Sequence, residues 1–162
     1  MKHYLLIDGS YYVFYRYYAL LQWWKNAKPE EPLDNPVENS LFIEKFREVF
    51  IKKIKEIPKK LKLKTSDLEI YVGKDCPRET IWRMSIFPNY KANRVHDDTF
   101  MVGAFFKMVY AENLFEQADI TRILKCKTLE ADDCLALTAK RLMTNDPECQ
   151  ITIIASDHYY LQ

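Results

Sequence analysis

The sequence carries no excess of charge of one sign: 24 basic residues stand against 23 acidic ones in a chain of 162. Overall charge therefore makes no case for a nucleic-acid partner, and such a case has to come from local clustering. No apolar run approaches the roughly 20 residues that cross a bilayer, so no membrane partner is expected. Cys76, Cys126, Cys134 and Cys149 lie far apart without a Cys-x-x-Cys pair, which is poor spacing for zinc. Met1-Lys2-His3-Tyr4 runs straight into a strand-like segment with no secretory leader before it. The thiols are accordingly expected to be reduced and mostly buried, in a soluble intracellular protein. Internal repeats, low-complexity tracts and an evident serine or cysteine nucleophile are all lacking.

An apolar fraction of 48% is enough for a hydrophobic core, and the length suits one domain. Aromatic residues make up 14%, and the eleven tyrosines are bunched. Tyr4 to Ile7 reads as a buried strand ending at Asp8-Gly9, and Ser10 is placed to cap an aromatic helix from Tyr11 to Trp24. Residues 26–36, with three prolines, read as a loop. Leu41, Phe42, Phe46, Val49, Phe50, Ile54 and Ile57 recur at helical spacing, which predicts an amphipathic helix from Val37 to Ile57, ended by Pro58. Leu68 to Val72 is a second strand, and Gly73 to Asp97 a long arm without period. Thr99 to Phe115 reads as helix, Arg122 to Lys125 as strand, Glu130 to Thr144 as helix and Gln150 to Ala155 as a β-branched strand. Alternating strands and helices imply an α/β fold, a parallel sheet flanked by helices, with function gathered beyond the carboxyl ends of the strands.

Acidic residues fall at those ends. Asp8 follows the first strand, Asp75 the second and Asp157 the last, while Glu130, Asp132 and Asp133 open the helix after the third. In a parallel sheet all six would converge on one rim, where their mutual repulsion calls for cations. Hard oxygen donors without histidine or cysteine suit Mg2+ or Mn2+. Two such ions roughly 4 Å apart would activate a water and stabilise the leaving oxygen of a phosphodiester. Each acid also has a structural reading: Asp-Gly makes turns, acids in a first helical turn favour the helix dipole, and Ser156-Asp157 suits a helix cap. Between Arg78 and Arg94 the arm interleaves Arg78, Arg83, Lys91 and Arg94 with Trp82, Phe87 and Tyr90. Such a mixture suits phosphates and unpaired bases, or else a solvated loop anchored by its aromatic residues. The lysines from Lys52 to Lys64 read as a solvated helix end and linker.

Four segments taken together, Leu5-Leu6-Ile7-Asp8-Gly9-Ser10, Tyr90-Lys91-Ala92-Asn93-Arg94, Glu130-Ala131-Asp132-Asp133 and Ser156-Asp157 with Gln162 beyond, resemble the 5′→3′ exonuclease and flap endonuclease family. That family includes the 5′ nuclease domains of bacterial DNA polymerases and has a PIN-like fold. Asp75-Cys76-Pro77-Arg78 with Trp82-Arg83 looks most like versions from large DNA viruses. The resemblance implies a nuclease of DNA replication or repair, acting on DNA with a free 5′ end or flap, or on RNA. It implies metal ligands at Asp8, Asp75, Glu130, Asp132, Asp133 and Asp157. Lys91 and Arg94 would be the catalytic cations at the scissile phosphate; Arg83 and Arg78 would contact neighbouring phosphates, and Tyr90 would stack on the terminal base.

This chain departs from the family in three places. Tyr159 stands where a further acid is usual, and Tyr15 where a basic residue is usual, so the resemblance leaves Arg16 beside it as the expected nucleic-acid contact. The chain also ends at Gln162, so residues 1–162 are expected to form a single domain truncated before the remaining ligands and the helix–hairpin–helix clamp. A non-catalytic relative that binds nucleic acid or protein is the second expectation. A phosphatase with an aspartyl nucleophile would want a second Asp where Ser10 stands.

Overall fold

In the computed structural model, which describes residues 1–93 and 99–156, the expected strands form β1 (His3–Asp8), β2 (Leu68–Gly73), β3 (Arg122–Leu124) and β4 (Gln150–Ile154). All neighbours are parallel, in the order β3-β2-β1-β4. The helices are α1 (Gly9–Ala27), α2 (Ser40–Lys60), α3 (Trp82–Ile86), α4 (Thr99–Ala111), α5 (Leu114–Gln117) and α6 (Ala131–Asn145). Alternation along β1 explains why both faces are covered. Leu5 and Ile7 point into the larger core with Phe42, Phe46, Phe50 and Phe105, whereas Tyr4 and Leu6 point to Leu135 of α6. The chain steps from β1 to β2 to β3, then crosses back to lay β4 on the other side of β1. Asp8, the last residue of β1, therefore stands where the strand order reverses, the usual ligand position in open α/β sheets.

Several boundaries differ from the sequence expectation, each for a local reason. The α1 cap is Asp8, whose carboxylate accepts the Tyr11 N–H at 3.1 Å, so the helix starts at Gly9 and Ser10 is free to turn elsewhere. Pro58 does not end α2 but is buried in its last turn. Termination comes at Lys62, whose φ of 55° lets Leu63 N–H reach back to the Pro58 carbonyl and Lys62 N–H to that of Lys59. On α2 the buried stripe is Phe42, Phe46, Phe50 and Ile54, while Leu41 faces solvent. The helix expected over 99–115 breaks after Ala111, because Asn113 takes a left-handed conformation and starts α5. The arm contains a 3-10 turn (Arg78–Thr80) and α3. Of the cysteines, all four are unbridged as expected, but only Cys134 is buried. No described helix is long and apolar enough to cross a membrane.

Gly9 is fixed by packing. A Cβ there would lie 2.6 Å from the Gly73 carbonyl and 2.9 Å from both Val72 Cγ1 and the Tyr110 hydroxyl. Its absence lets α1 start directly against the end of β2, which brings Asp8 beside Asp75.

Candidate metal centre at the strand ends

Asp8, Asp75, Glu130 and Asp132 line one cleft of about 340 Å³, with Ser10, Tyr11, Arg78, Tyr90, Lys91 and Ser156 around them. The acids arrive from three different strand-to-helix junctions. Asp75 is held by the Ala131 N–H at 2.6 Å and by the Ser10 hydroxyl, which ties the β2 exit to the starts of α6 and α1. Glu130 is the N-cap of α6, and Asp132 accepts the Asp133 N–H at 2.8 Å.

The crowding is visible in the acidities. Burial pushes the Asp8 carboxyl up to about 6, against the Tyr11 N–H, and the charges of Asp75 and Asp132 push the same way. Burial also raises Asp132, with the charges of Asp133 and Glu130 adding to it. Carboxylates that resist ionising in one another's company are stabilised when a cation joins them. Oxygen atoms of Glu130, Asp132 and Asp133 lie within 4.8 Å of one another, a set able to hold a metal ion.

The expected convergence is met by four of the six acids. Asp133 does not line the cleft; it turns to the arm, where Arg83 grips it with two hydrogen bonds of 2.6 and 2.7 Å and the Trp82 indole N–H donates at 3.2 Å. Burial works against its ionisation, but Arg83 and Trp82 outweigh that and hold its carboxyl below the ordinary range. Asp157 and Tyr159 lie outside the described residues, as does Arg94.

The arm closes over Glu130. Lys91 Nζ donates to it at 2.6 Å, the Tyr90 hydroxyl at 2.9 Å and Arg83 at 3.0 Å. Burial opposes the charge on Lys91, yet Glu130 and Tyr90 hold its ammonium above the ordinary amine range. Arg78 lines the cleft and donates to the Tyr90 carbonyl at 3.3 Å. Arg16, expected with these groups, lies instead in a separate cleft between α1 and α2. Sequence reasoning misses two contributors, Ser10 as a donor to Asp75 and Trp82 as a donor to Asp133. Local pattern makes Ser10 a helix cap, a role that Asp8 takes, and makes Trp82 an anchor for a loop.

The fold and site together define an α/β domain with an acidic cleft at the ends of parallel strands, closed by a basic and aromatic arm. The chain belongs to the family of the 5′-3′ exonuclease N-terminal, resolvase-like domain, whose model matches residues 3–162. Among solved structures, it is similar to a crystal structure of T5 D15 protein co-crystallised with metal ions, with a TM-score of 0.53 and 17% identity. That likeness, which shows the fold, covers 97% of this chain and 49% of the other, so the chain spans about half the length of the structure it matches. No curated protein sequence matches it.

Proposed function

We propose that this domain is the metal-binding core of a Mg2+-dependent 5′→3′ exonuclease or flap endonuclease, hydrolysing DNA phosphodiesters near a free 5′ end. The observation that carries the reading is the meeting of Asp8, Asp75, Glu130 and Asp132 in one cleft roofed by Lys91 and Tyr90. The donor set fits Mg2+ or Mn2+: it is all carboxylate oxygen, and the Asp8 and Asp132 carboxyls both resist ionising, a cost that a cation would relieve. A divalent ion held there supplies the positive charge that makes water attack on a phosphodiester feasible. The chain's own part is to position it. Asp75, fixed by Ser10 and Ala131, sets one wall, and Asp8, fixed by Tyr11, sets the other. Lys91 brings a cation to where charge develops on the phosphate.

Cleavage of a labelled flap DNA in Mg2+ is expected, with Asp132→Ala lowering it roughly 100-fold or more. Isothermal titration with Mn2+ provides the independent check: if no binding is seen that Asp132→Ala removes, the metal reading fails. One observation favours a non-catalytic nucleic-acid-binding relative, namely that Arg83 and Lys91 already neutralise Glu130 and Asp133. Flap cleavage abolished by Asp8→Ala would exclude it.

Lys91 makes a prediction with two opposite signs. Its ammonium competes with a metal for Glu130 while serving the phosphate. Lys91→Ala is expected to tighten Mn2+ binding several-fold in calorimetry and to slow single-turnover cleavage by a factor on the order of 100. Weakened metal binding in this variant would show that the lysine supports the site instead of competing for it.

A further inference from the structure

A second cleft runs between α1 and α2, apart from the carboxylates. It also measures about 340 Å³, and its lining includes Arg16, Lys45 and Lys53 but no acidic residue. In a chain whose net charge is only +1, that local excess is a feature of the fold. Arg16, Leu20 and Trp23 recur at helical spacing on α1, as do Lys45, Val49 and Lys53 on α2, so two stripes face each other. The Arg16 guanidinium lies 4.2 Å from the Tyr15 ring centre, and its buried Nε has no hydrogen-bond partner among the described residues. A buried donor left unmatched is what an incoming acceptor would satisfy. Trp23 is 45% exposed, with Lys45 Nζ at 5.4 Å from its ring. Lys45 and Lys53 each reach a glutamate one turn on, Glu48 at 3.8 Å and Glu56 at 3.2 Å. Half-exposed pairs of this kind are weak and exchange readily for a phosphate.

We propose that this cleft is a second nucleic-acid contact, in which Arg16, Lys45 and Lys53 take phosphates of the substrate and Trp23 offers its face to a base. The inference rests on the nucleic-acid reading of the carboxylate cleft. Arg16 follows Asp8 by eight residues along the chain. That is about 12 Å of helix rise, or three to four nucleotide steps of a duplex strand. A substrate seated on the carboxylates is therefore long enough to reach it.

The test is the salt dependence of binding, read by anisotropy of a fluorescein-labelled flap DNA in Ca2+. Every phosphate that a variant no longer neutralises lowers the slope of log K against log salt by about 0.7 to 0.9. Lys45→Gln with Lys53→Gln is expected to reduce the slope by about 1.4 to 1.8. Lys59→Gln with Lys60→Gln, which removes the same charge outside the cleft, is expected to leave it unchanged. Trp23→Ala is expected to weaken binding several-fold at constant slope. Thermal melting of each variant confirms the fold. An unchanged slope in the cleft variant, or an equal drop in the control, overturns the second contact alone. If the unsubstituted protein binds no DNA, the underlying nucleic-acid reading falls with it.

Discussion

Replacing Asp8 by asparagine is expected to raise the melting temperature of the metal-free protein at pH 7 while removing Mn2+ binding. Burial lifts the Asp8 carboxyl from an ordinary 3.8 to about 6 in the folded chain. A raised carboxyl binds its proton more tightly when folded, so it costs no stability below the unfolded value. The cost grows as pH rises from there and is complete above the folded value. A shift of that size corresponds to at most about 3 kcal/mol. Residual solvent contact reduces it, so a gain of roughly 4–8 °C is the expectation for a chain of this length. Asparagine keeps the α1 cap, because its side-chain oxygen still accepts the Tyr11 N–H. Melting curves at pH 4 and pH 7 decide the matter: the variant's advantage should be large at pH 7 and almost vanish at pH 4. A variant no more stable than the parent at pH 7 would remove the electrostatic account of the site. On the metal reading, the domain gives up stability to keep a carboxylate where the proposed cation would sit.

Arg83→Ala is expected to act in the opposite direction and more strongly. Asp133 and Glu130 have side chains only 8% exposed, and Arg83 pairs with both. Removing one partner of a buried ion pair leaves the other charge uncompensated, typically at about 3–5 kcal/mol. At this chain length that is a fall of roughly 10 °C or more. The sign with pH follows from Asp133, whose folded value lies below the ordinary one. The stability contributed by the pair is present above the unfolded value and is lost as pH falls through the depressed folded one. Parent and variant should therefore differ fully at pH 7 and converge only in strong acid. Mn2+ should restore part of the loss, since a bound cation stabilises the folded state by mass action. No rescue by Mn2+ would show that Glu130, once freed of Arg83, takes no part in holding a metal.

The fold is legible in the sequence because its signals are local. Asp8-Gly9 after an apolar run, the i, i+4 phenylalanines of α2 and the β-branched run before Ala155 specify strands and helices through nearest-neighbour chemistry. Helix ends are less legible. Pro58 looks like a stop, yet the stop is set by the backbone of Lys62, a residue with no signature for it. Asn113 splits the helix expected over 99–115 for the same reason.

Within the site, the set of acids can be read from their positions after strands, but their division of labour cannot. Asp132 and Asp133 are adjacent in sequence and differ by about 100° around a helix. That rotation sends Asp132 into the cleft and Asp133 onto Arg83. Arg16, next to an expected basic position, is likewise turned away to the α1–α2 cleft. Residue types, their order along the chain and the parallel alternation of strand and helix are enough to establish the chemistry on offer: hard oxygen donors, cations and aromatic faces. Which of these groups share a volume depends on long-range packing, above all on Gly9 letting α1 start against Gly73 and on Asp75 joining Ser10 to Ala131. Contacts separated by 50 to 65 residues cannot be inferred from one-dimensional spacing, since they exist only once the sheet has brought the strand ends together.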